Sequence, residues 1–81
     1  MIFEDEKQQA EYEKYVKLPL GKEIEELLLP ISKDFDFIVG AMVFCKTVEQ
    51  RQKLINEIKT KNITNYGEIC HLFNEINKGN I

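Results

Sequence analysis

The sequence predicts an all-α fold: a small irregular bundle of four to five short helices around a central apolar helix, with residues 1–81 forming a single domain. The length of 81 residues suits one small domain, and the hydrophobic and charged fractions of 43% and 31% are close to globular averages. Apolar residues recur at helical spacing in several segments. Proline and glycine divide the chain into pieces of helix length, at Pro19, Gly21, Pro30 and Gly79.

Two helices are predicted in the first part of the chain. Residues 3–17 are rich in good helix formers, but their apolar spacing begins only at Tyr12, so we expect residues 1–8 to fray. Residues 18–21 form a connector, because proline restricts the residue before it and glycine relaxes the backbone. The second helix is expected to end near Pro30. Its apolar residues fall at positions i, i+3, i+4 and i+7: Ile24, Leu27, Leu28 and Ile31.

Residues 37–45 are apolar on every side, so their periodicity does not distinguish a helix from a strand. Their β-branched residues favour a strand, but a strand needs partners, and the chain has no second run of alternating pattern to pair with it. We therefore predict a central buried helix, with a strand over residues 35–45 as the alternative. Asp34 or Asp36 is expected to accept hydrogen bonds from the N–H groups of its first turn.

The last two helices have clear end signals. Thr47 is followed three residues later by Gln50, which is the spacing of a capping box. Thr64 or Asn65 is expected to cap the final helix, and Gly79 to end it. Both helices carry apolar residues at helical spacing: Val48, Leu54, Ile55 and Ile58 in the first, and Tyr66, Ile69, Cys70, Phe73 and Ile76 in the second.

The net charge of −3 is unevenly distributed. Residues 1–36 hold ten acids and five lysines, whereas residues 37–81 hold four acids and six basic residues. So weak a basic excess argues against nucleic acid as the partner, and we interpret the acidic half as a solvated surface. The longest apolar run is too short for a membrane span, and the N-terminus does not read as a signal peptide. We therefore expect a cytoplasmic protein with reduced thiols at Cys45 and Cys70.

The residue usage also bears on the source of the chain. Lysine outnumbers arginine by ten to one, and there are ten isoleucines and six asparagines. This bias is typical of AT-rich genomes, such as those of low-GC bacteria and their phages.

No cluster of residues predicts a catalytic centre, a cofactor or a metal site. Glu68 and His71 have the Glu-x-x-His spacing of di-metal helical bundles, but such a site needs two of these motifs and the chain has one histidine. Cys70 is next to His71 in sequence, but neighbours on a helix point about 100° apart. Ser32 has no base nearby in the sequence. The sequence therefore predicts a protein that is not an enzyme and that binds no cofactor.

Arg51 departs from the pattern of its helix. It is the only arginine, and it falls inside the apolar arc that Leu54, Ile55 and Ile58 define. A guanidinium is tolerated in such a place when a carboxylate meets it, and we expect Asp34 or Asp36 to do so. The alternative is an interface anchor, since arginine is enriched at protein interfaces.

These observations predict a non-catalytic intracellular protein that works through protein–protein contacts, as a homodimer or as an accessory factor. The alternative is a helix-turn-helix DNA-binding regulator built from the last two helices, although the second of these exposes carboxylates at Glu68 and Glu75. The expected interface residues are apolar or aromatic side chains left over by the single-face patterns, together with the arginine: Tyr12, Tyr15, Val16, Leu29, Arg51 and Leu72.

Overall fold

The computed structural model describes residues 4–81 and shows that this part of the chain is all α-helical. Within it there are five helices and no strand, so the predicted fold class is confirmed. The helices pack into a body of 35 × 23 × 18 Å. Their bounds are α1 Glu6–Val16, α2 Gly21–Leu28, α3 Phe35–Phe44, α4 Val48–Lys61 and α5 Tyr66–Lys78.

The apolar segment whose conformation the sequence left open is a helix, α3. Five of its ten residues are buried, on the sides that face α1, α2 and α5: Phe37, Ile38, Val39, Ala41 and Met42. The opposite side, which we call the outer face of α3, carries Gly40 and the exposed Val43. Helix α2 also packs against three other helices, α1, α3 and α4. The structure therefore does not single out α3 as the centre of the bundle.

Side-chain caps begin four of the five helices. Asp34 caps α3, Thr47 and Gln50 form the complete capping box of α4, and Asn65 caps α5, as the sequence predicted. Gly79 ends α5 in the left-handed conformation, with φ of 81°. Asp5 accepts a hydrogen bond from the Gln8 N–H at the start of α1. Residues 1–3, which belong to the segment expected to fray, lie outside the described residues.

The connector between α1 and α2, which we call the hinge, consists of residues 17–20. Its turn is closed by a hydrogen bond of 2.8 Å from the Gly21 N–H to the Leu18 carbonyl. The left-handed residue of this turn is Leu20, with φ of 66°, and not the glycine that follows it. A side chain in this conformation costs about 1 kcal/mol. The side chain of Leu20 is partly buried and packs against the core.

Gly21 is needed for a different reason, which is the close approach of α1 to the start of α2. A Cβ atom at this position would lie 2.5 Å from the Val16 carbonyl oxygen and 2.7 Å from that of Tyr15. Both neighbours are backbone atoms, so they could move away only if the hinge changed shape. The sequence suggests that Gly21 is present because glycine makes the backbone flexible. The structure shows instead that a residue without a Cβ atom is needed there, because the backbone of α1 is too close.

An aromatic row joins α3 to α5. The Phe37 ring is stacked on the Tyr66 ring at 4.4 Å between centroids and contacts the Phe73 ring at 5.8 Å. The Phe44 ring in turn lies 6.3 Å from that of Phe73. Because the row follows both helices in the same order along the chain, α3 and α5 run in the same general direction. The row fixes the alignment of these two helices.

Two glycines inside helices provide a matched test of this packing. We expect Gly21→Ala to lower the free energy of unfolding by about 2 kcal/mol, because its Cβ meets backbone oxygens. Gly40→Ala should raise it by about 0.5–1 kcal/mol, because alanine favours a helix and the new Cβ has no neighbour within 4 Å. Urea denaturation of both variants measures the two effects. A neutral or stabilising Gly21→Ala would contradict the close approach at the hinge.

Candidate functional site

Helix α1 lies on a surface formed by α2 and α3, which we call the α1 seat. Tyr12 is the buried residue of α1, and its ring contacts that of Phe35 at 6.2 Å between centroids. Tyr15 and Val16 are partly buried against the core one turn later. The remaining residues of α1 are exposed, apart from the partly buried Gln8. The contact is therefore that of an amphipathic helix with one deeply inserted side chain.

The inserted tyrosine ends at a carboxylate. The Tyr12 hydroxyl donates a short hydrogen bond to Oε2 of Glu25, which is itself only 7% exposed. The Lys22 ammonium donates to Oε1 of the same carboxylate at 2.9 Å and forms a salt bridge with it. Both oxygens of the buried carboxylate thus have a donor. The buried end of the α1 seat is thus occupied by the hydroxyl group of an aromatic side chain.

The pKa values in this cluster follow from its geometry. Burial of the Glu25 carboxyl acts to raise its pKa, but the hydrogen bonds from Tyr12 and Lys22 and the positive charge of Lys22 lower it overall. Burial, followed by the hydrogen bond to Glu25, raises the pKa of Tyr12 far above its usual value. At neutral pH the pair is therefore a phenol that donates to a charged carboxylate.

Arg51 is buried, but its partners are not the ones that the sequence suggested. Its exposed fraction is 5%, which confirms its place inside the apolar arc. Nη2 donates to the Lys46 carbonyl at 3.0 Å and Nη1 to the Pro19 carbonyl at 3.4 Å. The expectation of Asp34 or Asp36 as a partner is therefore wrong. The guanidinium links the α3–α4 connector to the hinge through backbone oxygens. Each of these carbonyl groups lies just after the C-terminal end of a helix, where the helix dipole attracts a cation.

Of the six residues that the sequence predicted at an interface, some are buried in the core of the chain and the others lie at the edge of that core. Three of them are buried within the chain itself, and three are partly buried and packed against the core. The first group is Tyr12, Arg51 and Leu72; the second is Tyr15, Val16 and Leu29. In this conformation the surface that these residues offer to a partner is smaller than the sequence suggested.

Sequence reasoning missed Glu25 and Lys22. The signal for Glu25 was weak, because on the helical wheel it falls beside the apolar arc of α2, next to Leu28, and not inside it. Arg51, in contrast, falls inside the apolar arc of its helix. For Glu25 the rule that a buried charge needs a partner would predict a hydrogen-bond donor on a neighbouring helix, but the structure is needed to identify this donor as Tyr12.

The other polar clusters have partners within the chain. His71 is exposed, as predicted, and its Nε2 lies 3.7 Å from the Glu75 carboxylate. It lines a surface groove of about 500 Å³ at the corner of α4 and α5, where Lys61 is paired with Glu57 at 2.8 Å. Both cysteines are free thiols, and burial raises the pKa of Cys45 to about 11. Among residues 4–81 no group of three or more ligand-type side chains is placed to hold a metal ion.

The fold and these contacts define a small helical bundle with a helix docked in a groove. No family model matches the sequence, and neither a curated protein nor a solved structure matches it at a significant level. None of the helices in the described part of the chain has the length and apolar composition needed to cross a membrane.

The contact between Tyr12 and Glu25 can be tested by the dependence of stability on pH. We expect Tyr12→Phe to lower the free energy of unfolding by about 1–2 kcal/mol at pH 7, because a buried carboxylate loses a donor. A carboxyl group with a lowered folded-state pKa stabilises the fold above its unfolded pKa, near 4.5, and this contribution is lost as the pH falls through the folded value. The difference between wild type and variant should therefore shrink below about pH 4.

Tyr15→Phe is the matched control, because it makes the same change on the partly buried turn that follows. It should leave the free energy of unfolding and its pH dependence almost unchanged. Equal effects of the two variants at every pH would contradict the assignment of the charged hydrogen bond to Tyr12.

The link made by Arg51 can be tested with lysine. Arg51→Lys keeps the charge, but one ammonium group does not reproduce the guanidinium fork that reaches both carbonyls, so we expect a loss of about 1–3 kcal/mol of stability. Lys59→Arg, on the exposed side of the same helix, should change the stability by less than about 0.5 kcal/mol. Urea denaturation measures both. A tolerated Arg51→Lys would show that the carbonyl contacts do not hold the connectors together.

Proposed function

We propose that this chain is a non-catalytic protein that acts through protein–protein contacts, and that its first partner is a second copy of itself. The observation that supports this proposal is the docking of α1 on its seat. An amphipathic helix in a groove, anchored by one inserted aromatic side chain, is a common mode of recognition between proteins. Here the mode is used within one chain, between elements joined by a hinge of four residues.

The apolar residues at the edge of the α1 seat support self-association. Tyr15 and Val16 on α1 and Leu29 after α2 are partly exposed, and tyrosine is favoured in interfaces because it combines a large contact area with a polar tip. A domain of this size also buries a smaller share of its surface than larger domains do, so pairing adds burial that the single chain lacks. Closed two-fold dimers are the commonest result of such pairing.

The non-catalytic part of the proposal draws on the buried polar groups. Glu25 and Tyr12 are bound to each other, and Arg51 is bound to backbone carbonyls. Burial raises the pKa of both thiols, Cys45 and Cys70, so neither is activated as a nucleophile at neutral pH. The two free thiols also support a reducing compartment, and we include a cytoplasmic location in the proposal.

The helix-turn-helix alternative has less support. Arginine is the residue that most often reads bases in the major groove, and the single arginine of this chain is buried. The helix that would enter the groove, α5, exposes Glu68 close to its N-terminus. This carboxylate would face the phosphates. An accessory role with a different protein stays open at the outer face of α3, where Val43 is 42% exposed.

Sedimentation of the wild-type chain tests the proposal. We expect a reversible shift from monomer to dimer as the concentration rises to about 100 micromolar, far above the dissociation constant of a specific dimer near about 1 micromolar. Because the proposed contact is mainly apolar, the dissociation constant should change little between low and high salt. A chain that stays monomeric throughout this range would contradict self-association.

A further inference from the structure

We propose that α1 is exchanged between two copies of the chain, so that α1 of each copy occupies the α1 seat of the other. This inference rests on the proposed function, because it states how the second copy is bound. Two features carry it: the strain in the hinge and the chemistry of the α1 seat.

The strain in the hinge exists only while α1 folds back on its own chain. The turn that reverses the chain places Leu20 in the left-handed region, at φ of 66° and ψ of 1°, where a leucine side chain is disfavoured. It also brings the carbonyl oxygens of Tyr15 and Val16 so close to Gly21 that a Cβ has no room there. An open hinge removes both constraints. Short hinges under strain are known to favour exchange of an element between protomers.

The α1 seat determines which helix replaces α1 when the hinge opens. If α1 leaves, the Glu25 carboxylate loses its Tyr12 donor and the core loses the side chains of one turn of α1. A replacement must present a phenol at the same place, with an apolar turn after it. The α1 of a second copy supplies these groups in the same order, so pairing restores the hydrogen bond and the apolar packing that opening disrupts.

The hinge is held to the bundle by one polar contact and by the packing of Leu18 and Leu20 against the core. Arg51 reaches the hinge through the Pro19 carbonyl, at 3.4 Å, whereas its bond to the Lys46 carbonyl is 3.0 Å long. Pro19 is exposed and biases the residue before it towards an extended conformation, so the opened segment can continue away from the domain. Opening therefore disturbs the Arg51 bond to Pro19 and the packing of Leu18 and Leu20, in addition to the interactions that the second copy restores.

Paired variants of Leu20 test the role of strain. Leu20→Gly and Leu20→Ala both remove the side chain, but only glycine tolerates the left-handed conformation without cost. The equilibrium constant for closing one hinge should therefore be about fivefold larger with glycine than with alanine. Because a dimer has two hinges, its dissociation constant should be about thirtyfold larger with glycine. Sedimentation equilibrium measures both dissociation constants. Equal constants for the two variants would overturn the proposal.

Gly21→Ala acts in the opposite direction. Its Cβ clashes in the closed hinge but not in an open one, so with two hinges in a dimer the dimer should become several hundredfold tighter than in the wild type, on the order of two to three powers of ten. Val43→Lys is the surface control, because it adds a charge to the outer face of α3, away from the hinge. The control should leave the dissociation constant unchanged. A dimer broken by Val43→Lys and indifferent to the hinge variants would overturn exchange and place the interface on that face.

A direct measurement needs no substitution. Mixed samples of the wild type, one portion labelled with ¹³C and one unlabelled, allow nuclear Overhauser effects between chains to be separated from those within a chain. We expect an effect between chains joining the Tyr12 and Phe35 rings. A dimer in which this contact occurs only within a chain would overturn exchange and leave the proposed function standing. The absence of any dimer would overturn both.

Discussion

The apolar side chains of α3 must be covered by neighbouring helices, and this requirement constrains where α1, α2 and α5 can lie. The buried side chains of α3 point towards α1, α2 and α5, and a helix with this composition is stable in water only when those sides are covered. Three helices share the task of covering them. Helix α4 packs on α2 and α5 and holds those two in place around α3. The hinge is one result, because α1 reaches α3 only by turning back over a connector of four residues.

Much of this arrangement was predictable from local sequence, and the reasons are physical. Helix starts depend on side chains within three residues of the first turn, so the sequence could identify the caps. Thr47 was assigned directly, whereas Asp34 and Asn65 were each one of two candidate residues. The helical conformation of α3 followed from the lack of strand partners. Side-chain partners far apart in the chain were not predictable in this way. Arg51 binds backbone carbonyls, which are present at every residue and leave no signature in the sequence.

In the candidate site, too, features set by neighbouring residues could be predicted from the sequence, whereas contacts between distant residues could not. The apolar turn of α1 was visible in the sequence, but whether it covers its own chain or another depends on the hinge. Leu20 occupies a backbone conformation that usually indicates glycine or asparagine, so the sequence points to its neighbour Gly21. The two buried charged residues have similar roles. Glu25 binds the terminal helix α1 through Tyr12, and Arg51 binds two connectors through their carbonyl groups. Polar groups inside this small core thus specify how its peripheral parts attach.

The shallow docking of α1 has a consequence for the cooperativity of unfolding. With Tyr12 as its fully inserted residue, α1 contributes much less buried surface than α3 or α5, each of which buries four or five apolar side chains. Elements with few buried contacts open locally at a lower free energy than the whole domain. Helix α1 is therefore the element of this fold whose local opening should need the least free energy. A single melting temperature reports the unfolding of the whole bundle and does not reveal such local opening of α1.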